Sequence, residues 1–379
     1  MPAPARRRNP PSTALRIHRF PTGLALPVVL KGAVWKGKFI MTSGLTRKRF
    51  LLGSAAAATA GVLGAPAIRA ARRYTIRFGV DLTSDHPTAV NAMAAAQKIK
   101  AATSGDVTIE IFPNNQLGDD THMLSNLRSG AMQMMAIGDN ILATLVPNAA
   151  IDNIGFAFKT SAMAFSALDG KVGDMVRADI EKAGLHPMNR IWDEGFRQIT
   201  STSKQILTPE DLHGFKMRVP PSPISLSLFR ALGASPVTIN VAELYTALQT
   251  HIVDGQENPL GNIETLKLAQ VQKYCTLSNH MWVGYWVLVN GPYWTSMPAE
   301  LRKVVGDTFD AQALVQRAAN QKLDDSLEAV LKKEGMTFAT PDRGAFQAAL
   351  TKAGFYKEWQ GKFGAPLWSA LEAVTGPLA

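Results

Sequence analysis

From Tyr74 to Val80 apolar and polar positions alternate. Tyr74, Ile76, Phe78 and Val80 fall on one face and Thr75, Arg77 and Gly79 on the other, the period of a β-strand. His86-Pro87 then leads into residues 88–103, where Val90, Met93, Ala94 and Ala101 keep helical spacing. Ser104-Gly105-Asp106 stops that helix before Val107 to Phe112 alternates again. Strand, helix and strand in immediate succession predict a βαβ unit, with parallel pairing and a right-handed crossover. A helix over 120–129 and a third strand over 131–137 follow. Ligands of open parallel sheets bind beyond the carboxyl ends of the strands, which directs attention to the loops 81–86, 114–119 and 138–140.

After helical segments around 162–183 a second α/β set begins near Arg190. Residues 191–200 contain Trp192, Glu194, Gly195 and Arg197; 217–219 reads as a short strand and 225–232 as a helix. Asn240 with Glu243 three residues on has the form of a capping box for a helix over 241–250, and Asp254-Gly255 turns the chain into Gln256-Glu257-Asn258-Pro259. The apolar run 281–289 predicts a buried strand, in which alternation sends Trp282 and Trp286 to one face and Tyr285 to the other. Pro298 opens a helical stretch to about Glu334 that, if unbroken, spans roughly 55 Å at about 1.5 Å per residue, enough to lie across two domains. The fold class is therefore α/β.

The whole-chain charge changes the picture only until it is located. Lys and Arg number 40 against 30 Asp and Glu, but twelve of the basic residues and none of the acidic ones lie in residues 1–71. The remainder is weakly acidic and has no basic footprint for nucleic acid. Thr46-Arg47-Lys48-Arg49 precedes an Ala- and Gly-rich apolar run ending in small residues, the order of an export signal over 41–71. The run resembles a twin-arginine signal with Lys48 in place of the second arginine, so Sec export stays open beside it; the alternative is an uncleaved membrane anchor. Residues 1–40 read as an extension, disordered or upstream of the true start at Met41. Cys275 is the single cysteine, so the chain has no internal disulfide and rests on its core.

Candidate chemistry is sparse. Past the leader there is no Walker loop, GxGxxG, HExxH or GxSxG, the histidines lack metal-ligand spacing, and neither a metal nor a cofactor is expected. Two arginines stand out. Arg197 and Arg218 lie at or near strands of the second unit, and a guanidinium presents a planar fork that matches a carboxylate. Arg218 sits in the apolar run Phe215-Lys216-Met217-Arg218-Val219-Pro220, where its charge is costly unless met by a ligand or by an internal acid such as Glu243 or Asp254. Asn258 can contact a ligand, but on spacing alone an asparagine before proline reads first as a turn residue.

At these residues the chain resembles the DctP-type solute receptors of tripartite ATP-independent periplasmic (TRAP) transporters. The resemblance runs from Tyr74 to about Trp368. It is carried by Phe112-Pro113-Asn114-Asn115-Gln116-Leu117-Gly118-Asp119-Asp120, by Gly214 to Pro220, by Leu232-Gly233-Ala234-Ser235-Pro236, by Glu243 to Gln249 and by Asp254 to Pro259. It implies a two-lobed periplasmic binding protein fold, mixed sheets flanked by helices, with a long helix spanning both lobes. Lobe I is expected from 72–194 plus about 283–322, and lobe II from 195–282 plus about 323–379. It also implies a periplasmic receptor for a small organic acid, working with the small and large membrane subunits of a permease. Arg218 matches the arginine that forks to the ligand carboxylate, Arg197 a second arginine that assists, and Asn258 the asparagine on the same carboxylate. Asp81, His86, Gln116 and Asp139 fall in first-lobe loops that adapt to the ligand, and Trp282 and Tyr285 lie where the chain returns to the first lobe. The alternatives are a receptor for a sensor kinase and an organic-acid lyase or isomerase using Glu243 or Glu257 as acid or base.

Overall fold

The computed structural model of the chain describes residues 73–378; the extension and export signal expected over 1–71 lie outside them. The strands in chain order are β1 (Tyr74–Val80), β2 (Val107–Phe112), β3 (Met134–Gly138), β4 (Leu185–Pro187), β5 (Trp192–Phe196), β6 (Gln198–Ser201), β7 (Lys216–Val219), β8 (Ser235–Thr238), β9 (Gly255–Asn258), β10 (Tyr274–Thr276), β11 (Trp282–Asn290) and β12 (Thr337–Ala339). They form two sheets. The first runs β2-β1-β3-β11-β4 with β5 paired to β11, and the second runs β12-β10-β6-β9-β7-β8.

The first sheet begins as the alternation predicts. β1 pairs in parallel with β2 and, on its other side, with β3, and the helix Pro87–Ala102 makes the crossover. Tyr74, Ile76, Phe78 and Val80 are all buried in one apolar cluster. β3 starts at Met134, three residues later than its pattern suggests, because Gly130 in a left-handed conformation ends the preceding helix Asp120–Ser129 and the chain needs the next residues to return. The stretch 162–183 is two helices, Ser161–Leu168 and Lys171–Lys182. The break at Asp169 frees a carboxylate that accepts hydrogen bonds from Arg190 and Arg317.

The chain passes between the sheets at two places that lie side by side. β5 belongs to the first sheet and β6 to the second, with Arg197 alone between them; on the return, β10 belongs to the second and β11 to the first. β5 runs antiparallel to β11 and β6 antiparallel to β10, and the Arg197 amide donates to the Met281 carbonyl at 2.9 Å. A third link is the helix Ala299–Lys333, 35 residues long. Val305, Phe309 and Ala313 at its start pack with the first sheet, whereas Leu327 and Leu331 near its end join Leu244, Leu248 and Cys275 beside the second. Between them Gln316 and Asn320, one turn apart, hydrogen-bond the backbone of Asp193 and Glu194 in β5. The helix is thereby tied to the strand that enters Arg197.

Two readings change. Asn240 does precede the helix Val241–Gln249, but its side chain makes no capping bond; the capping box belongs to Thr208 and Asp211 instead. Residues 255–258 are a fully buried strand, so Asn258 ends a strand where a turn residue was the alternative. The last helix, Ala365–Thr375, packs against the two helices Ser161–Leu168 and Lys171–Lys182, and Trp368 and Leu371 share one apolar cluster with Leu228 and Phe229. Cys275 is fully buried among apolar neighbours, which push its thiol up and leave it inert.

Asp324 on the long helix carries a strain that can be measured. Burial, together with Asp193 and Asp325, pushes its carboxyl up to about 8. The unfolded carboxyl releases its proton near pH 4 and the folded one near its raised value, so this group costs stability progressively as pH rises between the two. Asp324→Asn is expected to raise the thermal midpoint, by more at pH 8 than at pH 5. An equal gain at both would sink ionisation as the cause.

Candidate functional site

The two sheets face each other across a narrow cavity lined by Asp81, Asp120, Asn140, Ile141, Glu194, Arg197, Arg218, Pro220, Val241, Asn258, Asn262 and Tyr285. The loop after β1 supplies Asp81, the helix after the 114–119 loop supplies Asp120, and the residues just past β3 supply Asn140 and Ile141. Strand ends of the parallel set converge there because successive βαβ crossovers place their loops on one edge. From the second sheet come Arg218 on β7, Asn258 on β9, and Asn262 on the helix Leu260–Thr265 that follows it.

Arg197 is fully engaged by the protein. Its Nε and Nη2 meet the Glu257 carboxylate, Nη1 donates to Glu194 at 2.8 Å, and Nη2 also reaches the Glu257 carbonyl at 2.8 Å and Asn258 Oδ1 at 3.0 Å. Glu194 and Arg197 are three residues apart, a spacing that in a regular strand puts side chains on opposite faces. Gly195, with φ of 112°, takes a conformation closed to other residues and turns both the same way. Burial pushes Glu257 up, but Arg197 and His280 outweigh it and hold the carboxylate below its usual range. His280 Nε2 lies 3.3 Å from that carboxylate and its Nδ1 lies 2.8 Å from Ser278 Oγ. The pairing with an internal acid weighed for Arg218 is thus realised at Arg197.

Arg218 is 2% exposed and differs in kind. Its Nε donates to the Ile239 carbonyl at 2.8 Å, and neither Glu243 nor Asp254 reaches it: Glu243 is exposed and Asp254 accepts from the Lys216 amide instead. Among the described residues no other hydrogen bond or ion pair holds its guanidinium, and the residue lines the cavity. Burial lowers its affinity for the proton to a pKa of about 10, against the pull of Glu257 and with the push of Arg197. A buried cation with its fork unfilled is poised to receive an anion.

Opposite it the wall is acidic. Tyr285 donates to Asp81 at 2.8 Å, and burial, which that bond opposes, pushes Asp81 up to about 6. Asp120 is 1% exposed and shares a side-chain hydrogen bond with Asp81; burial, with Asp81 beside it, raises it well above the usual carboxylate range, so it keeps its proton and donates. Glu194 is pushed up to about 7 by burial, which Arg197 only partly offsets.

Of the residues expected here, Arg218, Arg197, Asn258, Asp81 and Tyr285 converge on the cavity and four do not line it. His86 is a helix cap: its Nδ1 accepts from the Thr88 amide at 3.2 Å, and burial lowers it to about 4, so it is neutral. Gln116 is exposed in its loop. Asp139 is buried behind the lining, accepting from the Gly284 amide at 2.6 Å and from Asn153 at 2.8 Å. Trp282 points to the other face of β11, as the alternation has it, and packs edge-on against Phe158 and Phe165. Asp120, Glu194, Asn140 and Asn262 were missed; Asp120 and Glu194 stood inside segments already singled out, but nothing in linear spacing tells which polar side chain of a loop turns inward. Among the described residues no group of His, Cys, Asp and Glu is arranged to hold a metal, and no helix is long and apolar enough to cross a membrane.

The model of family 7 of the bacterial extracellular solute-binding proteins, DctP, matches residues 78–360. The chain is 31% identical over 336 residues to the C4-dicarboxylate-binding periplasmic protein DctP of Rhodobacter capsulatus, covering 87% of this chain and 99% of that protein. It is 34% identical over 310 residues to the uncharacterized protein y4mM of Sinorhizobium fredii, 80% of this chain but only 56% of that longer protein. The crystal structure of the sugar acid binding protein DctPAm of Advenella mimigardefordensis, in complex with galactonate, superposes with a TM-score of 0.77 at 28% identity, over 81% of this chain and 99% of that one.

The contrast between the two arginines predicts opposite stabilities. Arg197→Met leaves Glu257 and Glu194 buried and unpaired and is expected to cost about 3–5 kcal/mol in urea unfolding. Arg218→Met removes an unfilled cation and is expected to stay within about 1 kcal/mol of the parent. Equal losses in the two variants would mean that Arg218 is paired after all.

Proposed function

The chain belongs to family 7 of the bacterial extracellular solute-binding proteins, the DctP family, and from that premise we propose that it binds a small organic acid between its two sheets and delivers it to the membrane subunits of a TRAP transporter. The family is one of solute-binding proteins, not of enzymes, and its solved members include TRAP periplasmic receptors. The reading places the protein in the periplasm, exported by a twin-arginine-like or Sec signal.

One observation carries it: Arg218 is buried at a cavity with its fork unfilled. In this reading the ligand carboxylate takes the two free nitrogens of Arg218, each bond contributing on the order of 1.5–3 kcal/mol. Arg197 then acts through position: it is locked to Glu257 and Asn258, so it fixes the β6 and β9 wall beside Arg218 and adds positive potential without surrendering its own bonds. Asn258, whose amide already serves Arg197, Asn262 and Gln256, belongs to the same wall. Asp81 and Tyr285 form the opposing wall. His86, Asp139 and Trp282 support the lining from behind.

The lobes proposed are those built on the two sheets, hinged at Arg197 and at residues 277–281. The cavity measures about 20 Å³ for the centre of a water-sized sphere, room for a water or two. An organic acid therefore enters only if the walls part, and ligand shifts the balance of open and closed forms by its differential affinity for them.

A thermal-shift screen of the chain from about Arg72 against a carboxylate library tests the proposal. At a hundredfold excess over Kd a true ligand stabilises by about 2.7 kcal/mol, a shift of roughly 5–10 °C. Arg218→Ala is expected to abolish it. A ligand that stabilises both proteins equally would show that the anchor lies elsewhere.

A further inference from the structure

Three acids, Asp81, Asp120 and Glu194, line the cavity at Arg218 together with two arginines. Glu257 stands behind them and pairs with Arg197, which Glu194 also holds. Two carboxylates thus share one guanidinium, and Arg218 is the one cation of the lining that has no ion pair among the described residues. Before any ligand enters, the acids of the site outnumber its bases four to two.

Two of these acids already share a proton. Asp81 follows β1, Asp120 opens the helix Asp120–Ser129, and their side chains meet in a hydrogen bond. Ionised carboxylates only accept, so that bond contains a proton. Around the pair, Tyr285 donates to Asp81 at 2.8 Å, Asp119 adds a like charge beside Asp120, and Arg218 is the cation that draws Asp120 toward ionisation. Glu194 faces Arg197, Asp81 and Asp139, and Asn262 donates to it at 2.7 Å. Arg218 in turn feels Glu257, Arg197, Asp120 and Glu194, while His280 is turned to Glu257. A carboxylate that settles on Arg218 cancels the charge that Asp120 and Glu194 both feel, and it brings a further negative charge into the same small cavity. The wall then holds protons more tightly.

Resting on the receptor reading above, we propose that the site takes up a proton together with the anion, so that a solute held on Arg218 is accompanied by a proton on the wall of Asp81, Asp120 and Glu194. The proton comes from solvent and adds to a carboxylate oxygen of Asp81 or Glu194, since Asp120 already carries one. Release of the solute returns it. In the empty cavity burial sets Asp81 at about 6 and Glu194 at about 7, so near neutrality both have room to be protonated. An affinity linked to proton uptake is whole below these values and declines as pH rises through and above them.

The test is calorimetric titration of the chain from about Arg72 with succinate, D-galactonate and D-erythronate, each in buffers of different ionisation enthalpy, at about pH 6.5 and about pH 7.5. Roughly half to one proton is expected to enter per acid bound, with affinity falling roughly three- to tenfold between the two conditions. Asp81→Asn and Glu194→Gln keep an acceptor for their partners and are each expected to shrink the uptake. Asp324→Asn, which removes the raised acid of the long helix, is expected to leave it unchanged. The wild-type proton count decides by itself should a wall variant fold poorly. A count of zero or a release of protons overturns the inference, as does uptake that survives in full in both wall variants, or failure of all three acids to bind. Binding without uptake that Arg218→Ala abolishes leaves the receptor reading standing while this one falls. Binding that persists undiminished in Arg218→Ala refutes the anchoring on which both depend.

Discussion

The arrangement turns on one buried guanidinium. Arg197 is the single residue between β5 and β6, so its backbone is where the chain leaves the first sheet for the second. Its amide bonds the returning strand, and its side chain spans from Glu194 on the first sheet to Glu257 and Asn258 on the second. A buried cation with two carboxylates and three kinds of oxygen acceptor has little freedom to rotate. It sets where the two sheets meet. The long helix reinforces the same point, since Gln316 and Asn320 hold the β5 backbone immediately before it.

This saturation explains why Arg218 stays open. Glu257 is the acid whose charge Arg218 feels most, but Arg197 and His280 already occupy it. Arg218 is left with a backbone carbonyl on Nε, which orients the fork without neutralising it. Two arginines of similar burial thus divide the work: one spends all its donors on the frame, and the other keeps its charge for something that is not protein.

The buried acids also say something about how the walls are kept apart or together. Asp81 at about 6 and Glu194 at about 7 are raised because burial outweighs their partners. Their ionisation near neutrality is costly in this buried arrangement and cheaper when water reaches them.

Much of this protein was legible along the chain. The alternation of residues 74–80 and 107–112, the helices between them, the uninterrupted helix from Ala299 and the two-faced strand at Trp282 to Asn290 follow from local periodicity, because burial of one face imposes its period on the sequence. The arginine at position 218 was conspicuous for the same reason, a charge in an apolar run. What the sequence could not decide was which arginine is spent. Glu257 stands 60 residues from Arg197 and 39 from Arg218, and only the antiparallel pairing of β6 with β9, together with the turn at Gly195, delivers its carboxylate to the first and withholds it from the second. Likewise His86, Gln116, Asp120 and Asp139 are all polar residues of loops at one sheet edge, equal in any linear reading. The tertiary structure sorts them into a cap, a surface residue, a cavity-lining acid and a buried support, because the direction of a loop side chain is set by what packs behind it and not by its neighbours in sequence.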